Sequence, residues 1–259
     1  MKVALVGFGK MGHMIAEAAR KRGHAVVCTV DIQAEDATCV TSDAGEMVAA
    51  IKAARADGVI EFSHPQAALS NIRAIARAGI PLVVGTTGWL DSLDEVKGLV
   101  GESGSSLLHS ANYSVGVNLF YRIVSEAARL MAEFENYDVA LFESHHNQKA
   151  DSPSGTALEL ARRIMDSMPR KNALVTDSFT RRPEPNELHL ASVRVGSVPG
   201  THTVWFDSAA DTIELTHTAR SREGFALGAV RALEWLVAKD TSGKGRQGVF
   251  TMNDVFDSL

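Results

Sequence analysis

At 259 residues the chain can form one large domain or two modest ones of roughly 100 to 200 residues each. Its 26 basic and 31 acidic residues give a net charge of −5 without a basic run, which argues against a nucleic-acid partner. Hydrophobic residues make up 45% and aromatic residues 6%, as in an alanine- and valine-rich α/β protein, and no apolar run approaches the roughly 20 residues of a membrane helix.

Residues 2–6 form a short apolar strand at the very start, so no signal peptide is expected and the expected location is the cytoplasm. A helix over 11–22, a strand over 25–30 and a third strand over 58–62 follow. Then come a helix over 66–78, a strand over 81–84, a helix over 92–100 and a strand over 106–109. Strands joined by helices predict a parallel sheet with right-handed crossovers. Cys28 and Cys39 have no metal-type or Cys-x-x-Cys spacing and read as free thiols.

Between the first strand and helix lies Gly7-Phe8-Gly9-Lys10-Met11-Gly12, a G-x-G-x-x-G turn. Its glycines permit a tight turn, close backbone approach to a pyrophosphate, and helix-to-strand packing. Asp31 follows the second strand, where a carboxylate accepts hydrogen bonds from an adenosine ribose and repels a 2′-phosphate. NADH is therefore expected to be used well, with NADPH as the other candidate. Gly85-Thr86-Thr87-Gly88 follows the strand over 81–84 and would face the same crevice, or be a turn whose hydroxyls bond their own backbone. Ser110-Ala111-Asn112-Tyr113 would close over the nicotinamide or serve as a linker.

A long helix over 115–134 and a strand over 137–142 lead into Glu143-Ser-His-His-Asn-Gln-Lys-Ala-Asp-Ser-Pro-Ser-Gly-Thr-Ala-Leu158. Two histidines, a lysine and an aspartate here precede a helix over 154–168, capped by Ser152 with Pro153 in its first turn, or by a Thr156–Glu159 capping box. Its first turn offers unpaired N–H groups to a carboxylate or phosphate. Residues 169–185, with Arg170, Lys171, Arg181 and Arg182, read as an exposed loop with a solvated basic face. Strands over 188–195, 201–207 and 212–219, with few helices between them, predict a largely antiparallel or mixed sheet covered by helices. A helix over 224–239 is expected to pack back on the first domain.

A metal at His145, His146 and Asp151 is disfavoured, because adjacent histidines on a strand point to opposite faces and no further ligand has matching spacing. His202 and His217, in strand-like segments, read as structural. Another Rossmann dehydrogenase acting on an amino or aldehyde substrate would explain the first domain but not Lys149 and the Pro-Ser-Gly-Thr turn. A non-enzymatic NAD-sensing protein would need neither His145 nor Lys149.

Residues 143–158 resemble the E-x-H-H-x-x-K-x-D-x-P-S-G-T-A signature of the 4-hydroxy-tetrahydrodipicolinate reductase (dihydrodipicolinate reductase) family. The resemblance extends in order through residues 7–12, 85–88, 110–118 (Ser-Ala-Asn-Tyr-Ser-Val-Gly-Val-Asn) and 194–206 (Arg-Val-Gly-Ser-Val-Pro-Gly-Thr-His-Thr-Val-Trp-Phe). It implies an α/β fold: a Rossmann-like dinucleotide-binding domain over 1–114, completed by 222–259, and an α+β substrate-binding and oligomerisation domain over 115–221. It also implies NADH- or NADPH-dependent reduction of a small cyclic dicarboxylate with loss of water, in lysine and diaminopimelate synthesis, by a cytoplasmic homotetramer. By the same resemblance His145 is the general acid/base, Lys149 the proton donor, His146 a substrate contact, and Ser154, Gly155 and Thr156 a carboxylate cradle. Gly85 to Thr87 and Ser110 to Tyr113 would line the cofactor. The family's glycine-loop arginine is Lys10 here, which keeps the charge and loses the planar fork.

Overall fold

The computed structural model describes residues 1–239, 241 and 243–258. The chain divides into two compact units, residues 1–115 with 223–259, and residues 116–222. Among the described residues no helix is long and apolar enough to cross a membrane.

The first unit begins with β1 (Lys2–Val6), α1 (Lys10–Lys21), β2 (Ala25–Asp31), β3 (Cys39–Val40) and α2 (Ala44–Ala53). It continues through β4 (Gly58–Glu61), α3 (Pro65–Arg77), β5 (Leu82–Val84), α4 (Leu93–Ser103) and β6 (Ser106–His109). β3 and α2 lie outside the elements expected from sequence, although Asp43 caps α2 by accepting the Glu46 N–H, and Met47 and Ile51 form its buried face at helical spacing. The chain then leaves through α5 (Val115–Ala132), β7 (Asp138–His145), α6 (Gly155–Ser167), β8 (Ala173–Val175), β9 (Glu187–Arg194), β10 (Thr201–Asp207) and β11 (Thr212–Thr218). It returns as α7 (Glu223–Val237), β12 (Gly248–Thr251) and α8 (Met252–Asp257). β12 and α8 likewise lie outside the elements expected from sequence. A Thr251–Asp254 capping box starts α8.

The seven strands of the first sheet are ordered β12-β6-β5-β4-β1-β2-β3, and every pairing is parallel. Strand order therefore reverses between β1 and β4, which opens a crevice beyond the carboxyl ends of those strands. Alternate residues of β1 feed the two faces: Val3 and Leu5 join α1 and α7 in one core, while Ala4 and Val6 join α2 and α3 in the other. Burial on both faces explains why these strands are apolar throughout. Cys28 and Cys39 are free thiols.

The second sheet, β11-β10-β7-β9-β8, is mixed: β10 runs antiparallel to β11 and β7, whereas β9 runs parallel to β7 and β8. The antiparallel half of the expectation is corrected by connection length, because α6 and the chain after it are long enough to carry β9 back to the starting end of β7. α5 and α6 cover one face, burying Val124 and Ile164 against Val139, Leu141, Leu190 and Phe206.

The supposed basic loop is also corrected at two positions. Arg170 donates to the carbonyls of Ala132 and Tyr137 at 2.8 Å and of Met131 and Phe134 at 3.2 Å, closing the carboxyl end of α5. Lys171 is buried, pairs with Asp138 at 2.6 Å and donates to the Glu187 carbonyl at 2.8 Å. Arg181 and Arg182 are exposed, and Arg181 pairs with Glu187. β8 occupies part of the segment expected to be loop.

Candidate active site

The glycine loop links β1 to α1 over the crevice of the first unit. Gly7 has φ +89°, and a Cβ there would lie 2.2 Å from the Phe62 carbonyl oxygen. At Gly12 a Cβ would lie 2.3 Å from the Gly7 carbonyl, so only glycine lets α1 start this close to β1. Gly9, by contrast, faces open space. Phe8 is buried and stacks on His13, Met11 is half-buried, and Lys10 is exposed at the helix start.

Asp31 lies at the end of β2 and holds this loop. One carboxylate oxygen accepts the Phe8 N–H at 2.7 Å, and the other accepts the N–H groups of Gln33 and Ala34 at 3.0 and 3.1 Å. Burial pushes its carboxyl up, but these backbone donors outweigh burial and hold it below the ordinary carboxylate range.

Further along the crevice, the bare face of Gly85 is filled by the Phe62 ring, which would lie 2.0 Å from a Cβ there. Thr86 is buried and Thr87 exposed. Ser110 bonds the backbone of Asn112, and Asn112 in turn accepts the Ser114 N–H at 2.9 Å, forming a compact turn with Ala111 exposed. Tyr113 departs from its expected place. Its ring enters the core and its hydroxyl donates to the carbonyls of Val84 and Leu108, so the side chain does not line the crevice. Glu61, outside the expected site residues, has its carboxyl buried at the end of β4 beside Ser63 and Asn71. Burial raises its pKa above the ordinary value, against the pull of Ser63, Thr86 and Asn71.

In the second unit, strand alternation places Glu143 and His145 on the same helix-covered face as Val139 and Leu141. Here the apolar core gives way to a polar cluster. Cross-strand register sets Ser192 and His202 on either side of Glu143, and Arg194 beside His145. One oxygen of the fully buried Glu143 accepts the Ser154 N–H and the Ser192 hydroxyl, both at 2.9 Å, and the Arg194 guanidinium at 3.0 Å. The other oxygen lies 3.2 Å from His145 Nδ1 and 3.4 Å from His202 Nε2.

Burial alone would raise Glu143, but the His202 imidazole close by and the bonds from Ser154 and Arg194 hold it far below the usual carboxylate range. Burial drives the His145 imidazole down to about 4, against the attraction of Glu143. A neutral imidazole therefore faces a fixed carboxylate at neutral pH.

The helix cap is neither Ser152 nor Thr156. Ser154 caps α6 by accepting the Ala157 N–H at 3.2 Å, its hydroxyl also meets His202 Nε2 at 3.2 Å, and Glu159 pairs with Arg162 and Arg163. Gly155 opens the helix, where a Cβ would meet nothing within 4 Å, and Thr156 follows half-buried. Lys149, in the turn after β7, pairs with Asp151 at 2.7 Å, and Arg194 donates to the Asp151 carbonyl. His146 lies just past the end of β7 and is half-buried. Thus Glu143 ties His145 to Ser154 and Gly155 at the α6 N-terminus, and the Lys149–Asp151 pair lies in the turn before it.

His202, read as structural from sequence, belongs to this cluster, with Arg194 and Ser192. The buried alternation His202, Val204, Phe206 along β10 was the available signal. His217 packs on Phe120 and Gly116.

Comparisons with known proteins bear on both units. A family profile described as dihydrodipicolinate reductase, N-terminus, matches residues 1–113, and one described as dihydrodipicolinate reductase, C-terminus, matches residues 116–256. The chain is 38% identical over 259 residues to 4-hydroxy-tetrahydrodipicolinate reductase of Christiangramia forsetii, covering 100% of this chain and 99% of the relative. It is 36% identical over 272 residues to the enzyme of that name from Archaeoglobus fulgidus, covering 99% and 100%. Its fold is like that of dipicolinate-bound dihydrodipicolinate reductase from Paenisporosarcina sp. TG-14, with TM-score 0.75, 20% identity and 97% of each chain covered.

Proposed function

The chain belongs to the dihydrodipicolinate reductase family and carries that family's oxidoreductase activity, the reduction of 4-hydroxy-tetrahydrodipicolinate with loss of water in lysine and diaminopimelate biosynthesis, and we propose that His145 and Lys149 handle its protons. The observation carrying this reading is the cluster around Glu143, where a neutral imidazole stands beside a helix N-terminus, with the Lys149–Asp151 pair in the turn that leads to it. A bound nicotinamide dinucleotide supplies the hydride. Gly7, Phe8, Gly9, Lys10, Met11, Gly12 and Asp31 would hold its adenosine and pyrophosphate portions, and the open face of Gly9 fits that approach. Thr86, Thr87, Ser110, Ala111 and Asn112 would border the remainder, with Gly85 and Tyr113 contributing through backbone.

One carboxylate of the substrate meets the N–H and hydroxyl groups of Ser154, Gly155 and Thr156 at the start of α6, where the helix dipole favours an anion. His146 contacts the substrate from the end of β7. His145 is neutral before substrate arrives, and a dicarboxylate beside it raises its proton affinity, so that it takes up a proton on binding and releases it as the hydroxyl departs. Lys149, steadied by Asp151, supplies positive charge and is a second donor for the single proton that leaves with the hydroxyl as water. The working assembly is a cytoplasmic homotetramer that uses NADH well and accepts NADPH.

The test is nucleotide oxidation followed by absorbance, with substrate generated in place from pyruvate and aspartate semialdehyde by the preceding synthase. Oxidation should depend on the synthase. His145→Gln should lower turnover about 10²- to 10⁴-fold while leaving nucleotide affinity nearly unchanged, and Lys149→Ala should be similarly impaired. Undiminished turnover in His145→Gln would remove that residue from the proton path. Nucleotide binding without any oxidation would overturn the substrate assignment.

A further inference from the structure

On the helix-covered face of the second unit, Glu143, His145 and His202 each offer one ligand-type atom. These atoms lie within 4.8 Å of one another, and all three side chains are buried. The spacing from Glu143 Oε2 is 3.2 Å to His145 Nδ1 and 3.4 Å to His202 Nε2. Despite that closeness, Glu143 Oε2 and His145 Nδ1 complete no hydrogen bond, so they are near one another but out of line. Native interiors leave few such groups, and a missing ion is one of the physical reasons for them. Two donors bound to one Zn²⁺ at about 2.0–2.1 Å in tetrahedral directions stand about 3.4 Å apart, which is the spacing around this oxygen.

We propose that Glu143, His145 and His202 form a binding site for a single divalent transition metal of the zinc type, and that the metal inhibits by occupying His145. Two imidazoles with one carboxylate suit Zn²⁺ or Co²⁺ and do not suit Mg²⁺ or Ca²⁺, which take oxygen ligands. The carboxylate is already oriented for one-oxygen ligation, because its other oxygen is held by Ser154, Ser192 and Arg194. The contact between His202 Nε2 and the Ser154 hydroxyl must yield when the ion enters. Arg194 and Lys149 set a limit on affinity by placing positive charge nearby. Protons compete for both imidazoles, so binding weakens as pH falls. The site stands on geometry alone, whereas the inhibition rests on the proton role proposed above for His145.

The experiment titrates Zn²⁺ into the full chain against a chromophoric chelator at neutral pH and repeats it with Co²⁺, whose visible spectrum reports its ligands. One ion per chain should bind, with a four-coordinate Co²⁺ spectrum. Glu143→Gln and His202→Gln should each weaken binding at least tenfold, while His13→Gln and His189→Gln leave it unchanged. If Glu143→Gln fails to fold, His202→Gln and the Co²⁺ spectrum of the unaltered chain decide. Absence of binding, or binding indifferent to both site variants, would overturn the proposal. In the parallel oxidation assay, Zn²⁺ should inhibit and a chelator should restore activity. Site-specific binding without inhibition would keep the site and overturn its inhibitory role, and binding by a chain that reduces nothing would uphold the site while the functional reading falls.

Discussion

Replacing Asp31 with Asn tests how the first unit holds a nucleotide. In the unaltered protein one carboxylate oxygen takes the Phe8 N–H at 2.7 Å and the other takes those of Gln33 and Ala34 at 3.0 and 3.1 Å. An amide cannot accept on both sides. Whichever way it turns, its NH₂ group faces a backbone N–H, so at least one charged bond is lost. Such a bond contributes about 1.5–3 kcal/mol, reduced to about 1–2 kcal/mol here because Asp31 is partly exposed. The melting temperature should therefore fall by about 2–8 °C for a chain of this size. NADH loses both a loop anchor and a ribose acceptor and should bind about 10- to 100-fold more weakly, equivalent to 1.4–2.8 kcal/mol. NADPH loses the anchor while phosphate repulsion is relieved, so the affinity ratio should move towards NADPH. Fluorescence titrations of both nucleotides with thermal melts measure all three effects. A lowered melting temperature with an unchanged ratio would leave Asp31 as a loop anchor only and refute the ribose contact.

The remaining expectations concern the second unit and the closing helix. Folded His145 titrates at about 4, against 6.5 for the free side chain, so the unfolded chain binds more protons between those values and stability falls as pH drops through them. The loss amounts to at most about 3 kcal/mol. His145→Gln should flatten this part of the stability–pH curve in urea melts, and parallel curves would contradict the assignment. Gly228→Ala would put a Cβ 1.6 Å from the Tyr113 carbonyl oxygen, and backbone against backbone cannot adjust cheaply. A destabilisation of about 3 kcal/mol or more is expected by thermal denaturation, and an unchanged melting point would show that α7 can shift. Arg170→Ala removes four guanidinium bonds at the end of α5 and should cost about 2–3 kcal/mol, whereas a solvated arginine would cost almost nothing.

Much of this protein can be read locally. Glycine spacing at residues 7–12, the acid after the second strand, the helical period after Gly155 and the alternation in β10 each reflect neighbours within a few turns of chain. Short elements escaped. The two-residue β3 is too short to carry a period, α2 buries only Met47 and Ile51, and β12 gains its place only by pairing with β6.

The sequence by itself determined the parallel first sheet, the succession of its main strands and helices along the chain, and the gathering of histidine, lysine and a helix start in one segment, because each shows in short-range pattern. Only the tertiary structure decided that β9 runs parallel to β7, that Tyr113 turns into the core, and that Glu143 stands between Ser192 and His202. Those outcomes depend on strand register and on contacts between residues far apart in sequence, such as Ser192 and Glu143, 49 positions apart. No local pattern encodes such pairings, since they exist only once the sheet has closed around the buried carboxylate.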